Sequence, residues 1–275
     1  MVRICDDAYS ARTKRIAENL KKEFRRLTTG TPLNNDAPGT IEMVDGTKHA
    51  RANAPAAQQQ RRLPCSVTEA RLLQEQLREQ IVTNDQLGVV RRVAGVDAHH
   101  SDKEIWAAVV VMTFPDLSLL ESALIRLPLT FPYVPGLLSL REAPAILDAL
   151  TRLSEKPDLL LVDGQGLAHP RRFGLACHVG VLSDTPTIGV AKSRLVGTYQ
   201  EPATKRGAWS PLVQHGETIG AALRSRNGVR PLFVSIGHRI SLKTAIELVL
   251  RCSTRFRLPE PLRAADKLSR QHFKV

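Results

Sequence analysis

Residues 158–164 read DLLLVDG. Four apolar residues in succession, closed by an aspartate and a glycine, are the pattern of a strand buried on both faces of a sheet. Upstream, 89–98 (VVRRVAGVDA), 105–114 (IWAAVVVMTF) and 117–128 (LSLLESALIRLP) follow one another with short connections, which predicts an antiparallel meander. Residues 139–154 (SLREAPAILDALTRLS) have helical period, with Pro144 expected in the first turn or at a kink. Downstream, 174–184 (GLACHVGVLSD) reads as a helix and 187–192 (TIGVAK) as a second buried strand. Residues 231–238 (PLFVSIGH) form a further strand and 241–252 (SLKTAIELVLRC) a helix. An antiparallel start followed by alternating helix and strand predicts an α/β fold, a mixed central sheet with helices on both faces.

This compact domain is expected over 66–275. It opens at Ser66, where SVTE is a capping box and Leu72, Leu73, Leu77 and Ile81 follow on one helical face. Residues 1–65 differ from it. They hold 12 basic and 7 acidic residues. Ile16, Leu20, Phe24 and Leu27 recur at the spacing of a basic amphipathic helix, and 28–64 have the Gly, Pro, Asn and Gln content of a flexible linker.

The whole chain of 275 residues carries a net charge of +12, which favours a polyanionic partner, most simply nucleic acid. Aromatic residues are only 4%, which argues against broad stacking platforms for single strands. No stretch reaches the roughly 18 apolar residues of a membrane span. The four cysteines are scattered without a CxxC pair, which argues against a zinc site or a disulfide framework. With no apolar leader segment near the start, a cytoplasmic protein with reduced thiols is expected, and, with no heptad evident, a monomer.

Asp97 and Asp163 each end an apolar strand. In an α/β sheet such side chains collect at one edge, where active sites form. Two carboxylates meeting there repel, and Mg²⁺ or Mn²⁺ resolves the repulsion. Glu142 lies near the start of a helix, His238 ends the strand FVSIGH, and Lys192 ends TIGVAK, where it can neutralise a phosphate. In 131–142 (FPYVPGLLSLRE), Pro132, Pro135 and Gly136 set a rigid turn that presents Tyr133, the form of a wedge for a weak base step. Beyond Asp163, Gly164 and Gly166 permit close backbone approach to a ligand, and His169, Arg171 and Arg172 add donors for a phosphate.

Six segments occur here in the order of the endonuclease V family, over about Ser66 to Arg270: AGVDA, PYVPGLLSLRE, PDLLLVDGQGLAHPRRFGLACHVG, PTIGVAKSRL, GHRISL and RLPEPLRAAD. The resemblance implies a ribonuclease H-like fold and a Mg²⁺-dependent nuclease. Such an enzyme recognises hypoxanthine and cuts the second phosphodiester bond 3′ to it, leaving 5′-phosphate ends, in DNA repair. It implies that Asp97, Glu142 and Asp163 form the acidic site, with Asp97 and Asp163 holding the metal. It further implies His238 as the active-site histidine, Lys192 at the scissile phosphate and Tyr133 in the wedge. Gly164 and Gly166 then line the pocket for the flipped base. Either Glu142 or His238 orients or deprotonates the water. Gln165 departs from the family's usual His or Asn, a change that an outward-pointing side chain tolerates. DNA containing deoxyinosine and RNA containing inosine are both expected partners. The rivals are a structure-specific ribonuclease H-like nuclease without lesion preference and a noncatalytic nucleic-acid-binding protein.

Overall fold

The computed structural model describes residues 66–129 and 131–271. The basic helix and linker expected within 1–65 lie outside the described residues. Helix α1 (Val67–Arg78) begins as its capping box predicts: the Ser66 hydroxyl accepts from the Glu69 N–H at 3.1 Å. It buries Ala70, Gln74 and Leu77. Leu72 is exposed and Ile81 lies beyond the helix in a closing turn, so the apolar face is narrower than the spacing suggests.

The chain then runs β1 (Arg92–His100), β2 (Glu104–Thr113), β3 (Leu119–Pro128), α2 (Leu138–Leu150), β4 (Leu159–Val162), α3 (Leu175–Ser183) and β5 (Thr187–Ala191). It ends with β6 (Trp209–Gln214), β7 (Glu217–Leu223), β8 (Leu232–His238), α4 (Leu242–Cys252) and α5 (Glu260–Arg270). The eight strands form one sheet in the order β3-β2-β1-β4-β5-β8-β7-β6. Strands β1 to β3 are the expected antiparallel meander. Strands β1, β4 and β5 are parallel, and β8, β7 and β6 close the far side antiparallel.

Both faces are covered, as the unbroken apolar runs of β4 and β5 require. On one face α2 and α3 pack Ile146, Leu147 and Val179 against Ala94, Val96, Leu160 and Val162. On the other, α4 and α5 pack Val249, Leu262 and Ala265 against Val93, Leu159, Leu161 and Ile188. Helix α5 sits directly on β1 because position 95 is glycine: a Cβ there would fall 2.0 Å from the Pro261 carbonyl oxygen.

One reading changes, and one hairpin and one helix are new. Pro144 lies in the second turn of α2, inside a continuous helix. Pro has no N–H, so its carbonyl partner one turn back goes without the usual helical bond. The sequence reading assigns no element to the β6–β7 hairpin or to α5, although α5 is strongly amphipathic and buries Pro261, Leu262, Ala265 and Ser269. Strand β6 is an edge strand and tolerates Pro211, and His215 and Gly216 both take positive φ in its two-residue turn.

Candidate active site

Parallel pairing of β1 and β4 ends at Val96–Val162, and the Asp163 N–H closes it on the Val96 carbonyl at 2.9 Å. Asp97 and Asp163 therefore leave the sheet together, though β1 continues to His100 alongside β2. Strand alternation sends Asp97 and Asp163 to the α5 face, because Val93 and Leu161 lie in the core on that side. Helix α5 supplies Asp266. One oxygen from each of Asp97, Asp163 and Asp266 lies within 4.8 Å of the others. The Ser269 hydroxyl, one turn further along α5, donates to Asp97 Oδ2 at 2.7 Å.

Lys192 follows the last residue of β5. Its ammonium donates to Asp163 Oδ2 at 2.5 Å and to Asp266 Oδ1 at 3.2 Å. Burial works against that charge, but the two carboxylates hold its pKa above the ordinary lysine value. Asp97 is pushed up to about 6, first by burial and then by the charges of Asp163 and Asp266, with the Ser269 hydrogen bond and Lys192 opposing. Three carboxylates this close, one of them reluctant to ionise, form an all-oxygen donor set suited to a hard divalent cation.

Glu142 comes from α2, on the other face. It is buried, and its pKa rises to about 8 through burial and then the charges of Asp97 and Asp163. Its Oε1 lies 3.8 Å from His100 Nδ1. The adjacent Arg141 places its guanidinium 5.8 Å from the ring centre of Tyr133. Tyr133 and Pro132 are exposed at the tip of the Pro-rich turn. The base of that turn is pinned. The Gly136 carbonyl accepts from Gln74 Nε2 at 3.1 Å and His169 Nε2 at 3.1 Å, and also from Arg171 Nη2.

The structure thus brings Asp97, Glu142, Asp163 and Lys192 to one edge, with Tyr133 beside it. It does not bring His238 there. Strand β8 runs antiparallel to β5, so His238 pairs with Thr187 at the amino end of β5, about 16 Å along the strand from Lys192. There its Nδ1 accepts from the Val82 N–H at 3.3 Å, and Nε2 lies 3.6 Å from Asp184 Oδ1. His169 is buried with both ring nitrogens engaged, Nδ1 accepting from the Arg171 N–H at 3.2 Å, so it shapes its loop. Gly166 is a packing glycine: a Cβ would fall 2.0 Å from the Ile236 carbonyl oxygen. Its N–H donates to the Ser235 hydroxyl and its carbonyl accepts from Gly174. Gly164 is looser, a Cβ meeting Leu175 at 3.4 Å. The Gln165 amide does not point outward; Nε2 donates to the Ser193 carbonyl at 3.0 Å and Oε1 is buried without a partner.

Sequence reasoning missed Asp266, although it lies in one of the quoted segments. Gly95 was the available signal, since a glycine inside an apolar strand marks the close approach of another backbone.

The sheet order and the carboxylates at the ends of β1 and β4 place the chain in the ribonuclease H-like class of α/β proteins, with an acidic site suited to a cation. Residues 75–267 match the family model described as Endonuclease V. Endonuclease V of Roseiflexus sp. (strain RS-1) is 58% identical over 206 residues, 75% of this chain and 93% of that one. The crystal structure of endonuclease V from Streptomyces avermitilis is 42% identical with a TM-score of 0.74, covering 77% of this chain and 95% of that one. Ciona intestinalis endonuclease V, in complex with a 24mer DNA containing an inosine followed by a ribo-adenosine, is 30% identical. It has a TM-score of 0.66 and covers 76% of this chain and 98% of that one. The chain belongs to the endonuclease V family and is a nuclease of this metal-dependent family.

Proposed function

We propose that this protein is a DNA repair endonuclease that recognises hypoxanthine in a DNA strand and hydrolyses the second phosphodiester bond on its 3′ side. The observation that carries this reading is the convergence of Asp97, Asp163 and Asp266, with Lys192 hydrogen-bonded to two of them, at one edge of the sheet. It is supported by the relative from Ciona whose structure contains inosine-bearing DNA.

Asp97, Asp163 and Asp266 would hold a divalent cation, Mg²⁺ or in its place Mn²⁺. Such an ion, when bound, activates water and stabilises charge on a phosphate being cleaved. Ser269 holds the Asp97 carboxylate in place. Lys192 offsets charge developing on the phosphate oxygens. Glu142 takes the proton of the attacking water; burial and then the charges of Asp97 and Asp163 raise its affinity for a proton, which strengthens it as an acceptor. His238, at the other edge, has no part in that transfer. The products are a 3′-hydroxyl and a 5′-phosphate.

The base leaves the stack at a cost of a few kcal/mol, less for a mispaired base. Tyr133 and Pro132 enter the gap, and the pinned base of their turn keeps them upright. Gly164 lines the pocket, while Gly166 and His169 hold its wall from behind. Residues 66–275 are the catalytic domain of a cytoplasmic monomer. Residues 1–65 add nonspecific affinity through counterion release. Deleting them should flatten the slope of log K against log salt, and an unchanged slope removes that role. Among the described residues no helix is long and apolar enough to cross a membrane.

The test is a gel assay with purified protein and Mg²⁺ on end-labelled strands carrying one deoxyinosine, one inosine in RNA, or neither. One product displaced to the 3′ side of deoxyinosine supports the reading. Faster cutting of the RNA would move the main substrate to RNA. Equal cutting of the lesion-free strand would replace it with a structure-specific nuclease.

A further inference from the structure

Among the described residues the exposed aromatic side chains are Tyr133, Trp209 and Phe256. Tyr133 introduces α2 on one face of the sheet. Phe256 introduces α5 on the other, in the connection 253–259. The guanidinium of Arg263, one turn before Asp266, lies 3.1 Å from its ring centre, and Glu260 balances Arg263 at 3.3 Å.

This connection is tied to the acidic site by its neighbour. Arg257 Nη2 donates to the Lys192 carbonyl at 2.7 Å and to the Pro231 carbonyl at 2.9 Å, and its Nε donates to the Arg230 carbonyl at 2.9 Å. Arg226 donates to the Arg255 carbonyl, which joins the β7–β8 loop to the same surface. Arg226, Arg230 and Arg255 are all exposed, and none of them forms an ion pair among the described residues. The result is a ring with one side on a guanidinium, set among three arginines and fastened to the residue that holds Asp163.

We propose that Phe256 with Arg226, Arg230 and Arg255 is a second strand-binding platform, on the α5 side of the acidic site, for single-stranded DNA. An exposed ring stacks on a base only when that base is unpaired, and arginines around it track the phosphates. The occupant is an unpaired stretch of the cleaved strand, held on the face opposite Tyr133. The proposal rests on the reading that the substrate is a DNA strand.

Binding of the full chain to a fluorescent oligothymidylate of about 12 nucleotides, without divalent cation, tests it. Phe256→Ala should weaken binding about tenfold and Phe256→Tyr should restore it, because base–aromatic stacking tolerates either ring. Replacing Arg226, Arg230 and Arg255 together by Gln should lower the slope of log K against log salt by about 2, each lost phosphate contact on a single strand removing roughly 0.7. Arg126→Gln, on the distant strand β3, should leave that slope unchanged. A 5-iodouracil strand should crosslink to Phe256. Wild-type affinity in Phe256→Ala, with the wild-type slope in the triple variant, overturns the platform. If the wild type still cuts deoxyinosine strands in that event, the platform alone fails and the proposed function stands.

Discussion

The two ends of β5 carry similar chemistry and do opposite things. At the carboxyl end, Lys192 meets Asp163 and Asp266, with Asp97 beside them. At the amino end, His238 meets Asp184, which Arg239 also holds at 2.7 Å. The second cluster is spent on the chain itself. His238 takes the Val82 N–H, the Arg239 N–H donates to the Val82 carbonyl at 2.7 Å, and Lys156 donates to the Ser183 and Asp184 carbonyls. It staples the segment after α1 to β8. The first cluster gathers like charges that the fold alone leaves in repulsion. Like-charge crowding, rather than the mere presence of titratable groups, separates a site built for a ligand from one built for the chain.

The sharpest way to break this comparison is to empty each cluster in turn. Asp97→Ala or Asp163→Ala should reduce single-turnover cleavage on the order of 10³-fold or more while lesion binding largely survives, since several kcal/mol of transition-state stabilisation depend on the cation. Retained cleavage at ordinary Mg²⁺ would sink the metal assignment. Lys192→Ala should cost about 10²-fold in the same assay, the usual effect of removing one donor to a developing anion. His238→Ala should leave the cleavage rate near wild type and lower stability by about 1–3 kcal/mol in a denaturant titration, through the unpaired Val82 amide. Lost cleavage in a folded His238→Ala protein would erase the distinction between the two ends.

Smaller effects sharpen the comparison. Gly95→Ala should destabilise the protein by about 3 kcal/mol, because α5 must move off β1. Since Asp266 moves with it, cleavage should fall further than stability alone explains. Among buried histidines, His178 has its pKa lowered to about 4 by burial alone, against 6.5 unperturbed. The unfolded chain binds its proton more readily, so this contribution is complete above pH 6.5 and is lost as pH falls towards 4. The full loss is about 3 kcal/mol. His178→Gln should flatten the acid limb of a melting-temperature profile, and an unchanged limb would assign it to other groups.

Asp97 and Asp163 were legible because each terminates an apolar run, and the two runs turned out to be parallel neighbours. His238 ends an equally apolar run, but its strand points the other way. Direction within a sheet is a property of the topology, and no local pattern around FVSIGH encodes it. Glu142 was legible as an acid near a helix start, while the depth of its burial depends on α2 lying across the sheet. Asp266 belongs to EPLRAADKLSR, a helix whose face is chosen by Gly95, more than 160 residues earlier. Gly164 and Gly166 look alike in DGQG, yet β8 presses on only the second.

The Gly136 carbonyl has a mechanical consequence. An insertion tip can do only as much work as its mounting can resist. This mounting draws its three donors from two other parts of the chain: Gln74 on α1, and His169 and Arg171 in the loop after β4. Helix α1 is thus a brace for Tyr133 as well as a cover for the core. A chain trimmed of α1 could keep its carboxylates in place and still lose leverage, because the tip would yield before the base stack did.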